Sequence, residues 1–147
     1  MAHGLILPVI AADTGEIAYS EKFRILPSIR PAAIPPSIIA DTKGWTDEDG
    51  RAWREISLRP VTQDCQIFLT LRFCKEVLFA AEFYANTRAQ GFSWRDWTEA
   101  KELERKRYHD KLLSRWLGSK KRFPWGKVWS NYDAKGGFST FGITYKN

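Results

Sequence analysis

The stretch WREISLRPVTQDCQIFLTLRFCKEVLFAAEFYA, from Trp53 to Ala85, decides the fold. It holds three runs rich in β-branched and aromatic residues, WREISLRPV, QIFLTLRFC and VLFAAEFYA. Only Thr62-Gln63-Asp64 and Lys75-Glu76 break them. Breaks this short leave no room for a crossover helix, so the runs are expected to form an antiparallel meander. Alternation puts Ile67, Leu69, Leu71 and Phe73 on one face of the second run. It puts Val77, Phe79, Ala81 and Phe83 on one face of the third. A sheet with one apolar face needs a second layer.

That layer follows in the chain. Residues 98–117 read as one long helix: Thr98 is a good N-cap, Glu99 and Glu102 suit the positive end of its dipole, and Gly118 ends it. At 100° per residue, Tyr108, Leu112, Leu113, Trp116 and Leu117 share half of the wheel, an apolar side to lay on the sheet. Behind the helix, Gly126–Tyr132 and Phe138–Tyr145 flank the glycine-bearing Asp133-Ala134-Lys135-Gly136-Gly137, a hairpin signal. Phe123, Trp125, Trp129, Tyr132, Phe138 and Phe141 crowd this tail, and most of them are expected in the core.

Upstream, residues 5–26 alternate around Thr14-Gly15 and read as a hairpin or strand pair. Residues 27–52 carry Pro27, Pro31, Pro35 and Pro36 and then turn formers. They read as a long, irregular surface excursion with at most one short strand or turn. No period of 20–50 residues repeats. The expectation is one α+β domain over residues 1–147: a mostly antiparallel sheet, one long helix and a C-terminal β-hairpin.

Composition agrees. A chain of 147 residues, 44% hydrophobic and 27% charged, can bury a core without metals or disulfides. Cys65 and Cys74, nine residues apart in extended sequence, would lie roughly 30 Å apart on one strand and read as small buried hydrophobes. Leu5–Ala12 is too short, and too interrupted by Pro8, for a secretion signal, and no run reaches the roughly 20 apolar residues of a membrane span. A reducing cytoplasm, with no membrane partner, is the expectation.

Charge is concentrated. Ten Lys and Arg face four acids between Glu99 and Lys127, a surplus equal to the net charge of the whole chain, +6. On the helix, Glu102, Arg105 and His109 share the wheel half of Leu112, Leu113 and Trp116. Ionisable groups on a buried side must be paired or must face a cleft or partner. An internal ion pair with sheet residues such as Arg72 or Glu82 is the first reading, a binding or active cleft the second, and simple exposure through fraying of the first helical turns the third. Asp110 is no natural partner for His109, because adjacent helical residues do not face each other. With two histidines, no HxxxH and no cysteine cluster, no zinc site is expected, and no cofactor is implied. GxSxG, GxxxxGK[ST] and GxGxxG are absent, leaving catalysis only to unplaced carboxylates. A second function class is nucleic-acid binding, through a basic stripe interleaved with Trp94, Trp97, Trp116, Trp125 and Trp129. Lys120, Lys121 and Arg122 are its best contacts, although helix acids at i,i+3 and i,i+4 dilute the stripe.

The stretch WTEAKELERKRYHDKLLSRWLG followed by WGKVWSNYDAKGGFSTFGITY resembles small uncharacterised bacterial accessory proteins, including immunity proteins encoded beside secreted toxins. The likeness covers about residues 94–145 and has no catalytic signature. It implies a protein-binding protein, not an enzyme, that neutralises a toxin by occluding its site; no residue role is carried over. A basic protein of this kind implies a partner with an acidic surface. Aromatic and arginine side chains are favoured anchors of such interfaces. The candidate binding residues are therefore Glu102, Arg105, His109, Trp94, Trp97, Lys120, Lys121, Arg122 and Trp125.

Overall fold

The computed structural model describes residues 7–61, 65–87 and 97–146. Among them the fold is α+β, one α-helix with two antiparallel sheets of three and seven strands. The smaller sheet joins β1 (Val9–Ile10), β2 (Ile17–Ala18) and β3 (Arg24–Ile25). Its first reversal falls at the Thr14-Gly15 break, where Gly15 takes φ +75 and donates to the Ala11 carbonyl at 2.9 Å.

The larger sheet contains β4 (Ile39–Thr46), β5 (Ala52–Leu58), β6 (Cys65–Cys74), β7 (Val77–Thr87), β8 (Arg122–Phe123), β9 (Gly126–Asp133) and β10 (Phe138–Tyr145). Its strand order is β4-β5-β6-β7-β10-β9-β8. The meander is present as β5–β6–β7, with Ile56 opposite Leu71 and Leu71 opposite Ala81. Ile67, Leu69, Leu71 and Phe73 are all buried, as their alternation requires.

The third run needs a correction. Ala81 and Phe83 are buried, but Val77 is exposed and Leu78 takes the core position. The register passes from Arg72 opposite Ala80 to Phe73 opposite Leu78, leaving Phe79 as a bulge. An extra residue reverses the parity of everything on one side of it. Phe79 therefore packs edge-on against Trp53, 5.2 Å between centroids, on the far face of the sheet.

The Pro-rich excursion is likewise irregular only in its first half. Two 3-10 turns at Pro31–Ala33 and Pro36–Ile38 give way to β4, eight residues long. After Ile39 every residue of β4 is exposed. A strand solvated on both faces shows no apolar alternation, so IADTKGWT reads as turn chemistry although it is an edge strand.

The helix α1 spans Glu99–Leu117. Thr98 caps it, its hydroxyl accepting from the Lys101 N–H at 3.1 Å, and Gly118 ends it at φ +71. The helix lies across β7, β9 and β10 and touches β1. Leu112, Leu113 and Leu117 are buried, and Trp116 meets the stacked Phe83–Phe141 pair. β9 and β10 pair from Asp133–Phe138 to Gly126–Tyr145, the expected hairpin. The Asp133 carboxylate accepts from the N–H groups of Lys135 and Gly136, pinning the loop. Of the six tail aromatics only Phe141 is fully buried, fewer than expected. Phe123 and Trp125 border the core, Trp129 and Tyr132 are half-buried, and Phe138 is exposed. Cys65 and Cys74 are both half-buried thiols, and Cys65 lies 3.2 Å from the Tyr108 hydroxyl.

Candidate functional site

The helix-borne Glu102, Arg105 and His109 are drawn together, at a fork in the large sheet. β7 and β10 pair from Ala80–Thr144 to Phe83–Phe141 and then part. Two residues further, the same register would set Ala85 against Ser139. Instead α1 supplies side chains to both. The Ala85 N–H donates to His109 Nε2 at 3.0 Å, and Arg105 Nε donates to the Ala85 carbonyl at 2.8 Å. On the other side, Glu102 Oε2 accepts from the Ser139 N–H and hydroxyl, each at 2.9 Å. Glu102 Oε1 and Arg105 close the wedge as a direct ion pair, and Arg105 also reaches the Asn86 side chain at 3.2 Å and sits over the Tyr84 ring.

The helix thus replaces lost ladder bonds, which answers why ionisable residues share its apolar side. The internal-pair expectation is corrected in its partners. Arg72 and Glu82 bond each other on the opposite face of the sheet, and Glu102 pairs within its own helix. Glu102 and His109 have 0% exposure and Arg105 4%, so these three are spent on the fold. His109 is neutral: burial first, and the Arg105 cation second, hold its pKa down at about 3. Because Nε2 accepts, the proton sits on Nδ1, which has no partner among the described residues.

The far face of the large sheet carries the second constellation. One cross-strand row runs through Lys43, Glu55, Arg72, Ala80, Thr144, Lys127 and Arg122. Residues directly opposite one another share a face, so these side chains form a continuous line. Its two ends differ. Lys43, Glu55, Arg72 and Glu82 form a chain of ion pairs at 3.4, 3.1 and 3.2 Å. At the other end Arg122 stands directly opposite Lys127, and among the described residues no acid forms an ion pair with either.

These two cations, with Lys146, Phe123, Thr144 and Tyr145, line an open cleft of about 390 Å³. Gly126 lets β9 come close to β10 here: at φ +156, a Cβ there would lie 2.4 Å from the Thr144 carbonyl. The Tyr145 hydroxyl donates to the Gly15 carbonyl at 2.8 Å, tying the floor of the cleft to the small sheet. Burial raises the pKa of that phenol, so it stays a neutral donor.

Of the other candidates, Arg122 lines the cleft, and Lys120 stands beside it with its ammonium 5.1 Å above the Phe123 ring. Lys121 is exposed next in the chain, and its carbonyl accepts from Val128. Trp125 stacks on Phe123 at 4.6 Å and donates to the Ala12 carbonyl, so it acts as a strut between the tail and the small sheet. Trp97 is exposed and sits on the hairpin loop, its Nε1 donating to the Gly137 carbonyl at 2.6 Å. Trp94 lies outside the described residues. The sequence reading missed Lys146 and Thr144, and counted Lys127 only as part of a basic run. The hairpin register could have found Thr144, because it sets Lys127 against it on the polar face.

Among the described residues, no three His, Cys, Asp or Glu side chains converge to hold a metal ion, and no helix is long and apolar enough to cross a membrane. Compared with known proteins, the chain matches no family model, no curated protein and no solved structure.

Proposed function

We propose that this chain is a protein-binding protein that covers an acidic surface of a partner with the far face of its large sheet. The observation that carries the reading is Arg122 held directly opposite Lys127, beside Lys146 and without an acid among the described residues to offset them. Like charges in a cross-strand pair cost stability. A sequence that keeps such a pair breaks a local rule, and local rules are most often broken where function requires it. A partner carboxylate in the cleft would neutralise the pair and become desolvated against Phe123 and Thr144. In the immunity-protein version of this reading, the partner is a toxin encoded alongside and its active site is occluded, with no catalysis by this chain.

The nucleic-acid alternative is less well supported. Stacking needs open aromatic faces. Of the described tryptophans in the stripe Trp97 is exposed, but Trp116 packs on Phe83 and Phe141, Trp125 is stacked on Phe123 with Lys120 over that ring, and Trp129 is half-buried with its Nε1 donating to Thr144 at 3.2 Å.

Co-expression with the product of the neighbouring gene, followed by size-exclusion chromatography, tests the proposal. A complex that forms with the native chain and weakens at least tenfold in the Arg122→Glu, Lys127→Glu double variant is the expected result. No complex and no protection from the neighbour's toxicity would overturn it. So would tight binding to mixed DNA or RNA that collapses between about 50 and 200 mM salt.

A further inference from the structure

β4 ends the large sheet, and among the described residues nothing pairs with its outer edge. Long unpaired edges are templates for another strand, and proteins usually blunt them with proline, lysine, bulges, short length or inward charge. Between Asp41 and Thr46 β4 has no proline and no bulge, its one irregularity falls before Asp41 and its one lysine is Lys43, and exposure on both faces leaves room for a second chain.

The β4–β5 pairing fixes the hydrogen-bond phase of this edge. The Asp47 N–H donates to the Arg51 carbonyl at 2.9 Å, and no irregularity interrupts the β4–β5 register from Asp41–Ser57 to Thr46–Ala52. Backbone groups alternate in direction along an antiparallel strand. Asp41, Lys43 and Trp45 therefore turn their N–H and C=O groups inward to β5, and Thr42 and Gly44 turn theirs outward. An incoming antiparallel strand must bond to Thr42 and Gly44.

We propose that the partner of this edge is a second copy of the same chain, paired antiparallel about a two-fold axis at Thr42. In that register Thr42 of each copy exchanges both backbone bonds with Thr42 of the other. Asp41 of each copy then stands opposite Lys43 of the other, and the close spacing of such non-hydrogen-bonded pairs brings the charges together twice. Asp41 has no ion pair among the described residues. Among the described residues Lys43 forms an ion pair with Glu55, at 3.4 Å, and an ammonium has donors for both acids. The neighbouring symmetric registers are worse: one step either way sets Lys43 against Lys43, or Asp41 against Asp41. The two seven-stranded sheets would become one sheet of fourteen, which leaves both cationic clefts at its far ends and open. One strand pairing buries little surface, so the dimer is a weak one that follows concentration.

Sedimentation velocity over about a hundredfold range of concentration tests this, with a charge-swap set. The native chain is expected to shift toward dimer as concentration rises. Asp41→Lys and Lys43→Asp each place like charges opposite one another and should remain monomeric. An equimolar mixture of the two single variants restores both pairs and should give a heterodimer, as should the doubly swapped chain with itself. β4 is solvated, so far-UV circular dichroism should be unchanged in every variant. A monomer at all concentrations overturns the proposal, and so does a dimer indifferent to the swaps.

Discussion

Replacing Glu102 by Ala should unfold the wedge from inside. The carboxylate is fully buried and accepts from Arg105, the Ser139 N–H and the Ser139 hydroxyl. Its removal leaves a buried guanidinium without its counter-ion, although the Ala85 carbonyl and the Asn86 side chain still bind it. Removing one partner of a buried pair costs about 3–5 kcal/mol. Against a total stability of about 5–15 kcal/mol this is a large share. With an urea m-value near 2 kcal/mol/M, the unfolding midpoint should fall by about 2 M. Lys106→Ala is the internal control, because it deletes the Lys106–Asp110 pair, 2.7 Å long but exposed on the same helix. That change should cost no more than about 0.5 kcal/mol. The double variant Glu102→Ala, Arg105→Ala should lose less than the sum of its singles, by up to about 3 kcal/mol, because the second truncation removes the stranded charge. Urea denaturation followed by tryptophan fluorescence measures the native chain, these three variants and the Arg105→Ala single that completes the cycle. A midpoint for Glu102→Ala within error of Lys106→Ala would refute the wedge, as would strict additivity in the double variant.

Three further outcomes are expected. His109 titrates near 3 when folded but near 6.5 when unfolded, so stability is full above pH about 6.5 and drains by up to about 1.4 kcal/mol per unit as pH falls toward 3; His109→Gln should flatten that limb, and parallel acid-denaturation curves would count against it. Gly142→Ala should cost about 1–3 kcal/mol or prevent folding, because its Cβ would lie 2.1 Å from the Ala81 carbonyl and 3.0 Å from the Trp129 ring; a thermal midpoint unchanged from native would show that β7 and β10 are not this close. Arg122→Glu turns a like-charge cross-strand pair into an opposite one, so it should raise stability by about 0.5 kcal/mol or less while weakening partner binding; a loss of stability would mean that Arg122 is already neutralised within the chain.

The legible parts of the fold share one property: their signal is local. Thr98 and Gly118 bracket the helix, the Asp133–Gly137 loop announces the hairpin, and the period-2 run through Phe73 identifies a strand buried on one face. β4 lacked such a signal because neither of its faces is buried. The Phe79 bulge was illegible for a different reason, since whether an extra residue is looped out depends on the partner strand. The wedge was half legible. Three ionisable residues on an apolar helix side implied burial and pairing, but two of the partners are the backbone N–H groups of Ala85 and Ser139, which any residue but proline would supply. The cationic cleft required the strand order, because Arg122, Lys127 and Lys146 come together only when β8, β9 and β10 are laid side by side.

The two constellations lie at opposite ends of β10, and that separation has a consequence for how the chain can change. Glu102, Arg105 and His109 act at Ser139, where β10 leaves β7, whereas the cleft opens at Thr144 and Tyr145. The wedge contributes stability through bonds of Glu102, Arg105 and His109, which are at most 4% exposed, with Tyr84 and Asn86 at its rim. The cleft is open and carries a destabilising like-charge pair on a two-residue edge strand. If the proposed cleft is the binding surface, stability and binding are held by different residues, with one helix stiffening the hairpin that carries the cations. A chain weakened at Glu102 should bind in proportion to its folded fraction, with the salt dependence of binding unaltered. A chain altered at Arg122 or Lys127 should stay folded and lose that dependence. If both kinds of variant moved stability and salt dependence together, the division between scaffold and surface would not exist, and the far face would have to be read as part of the fold's own electrostatics.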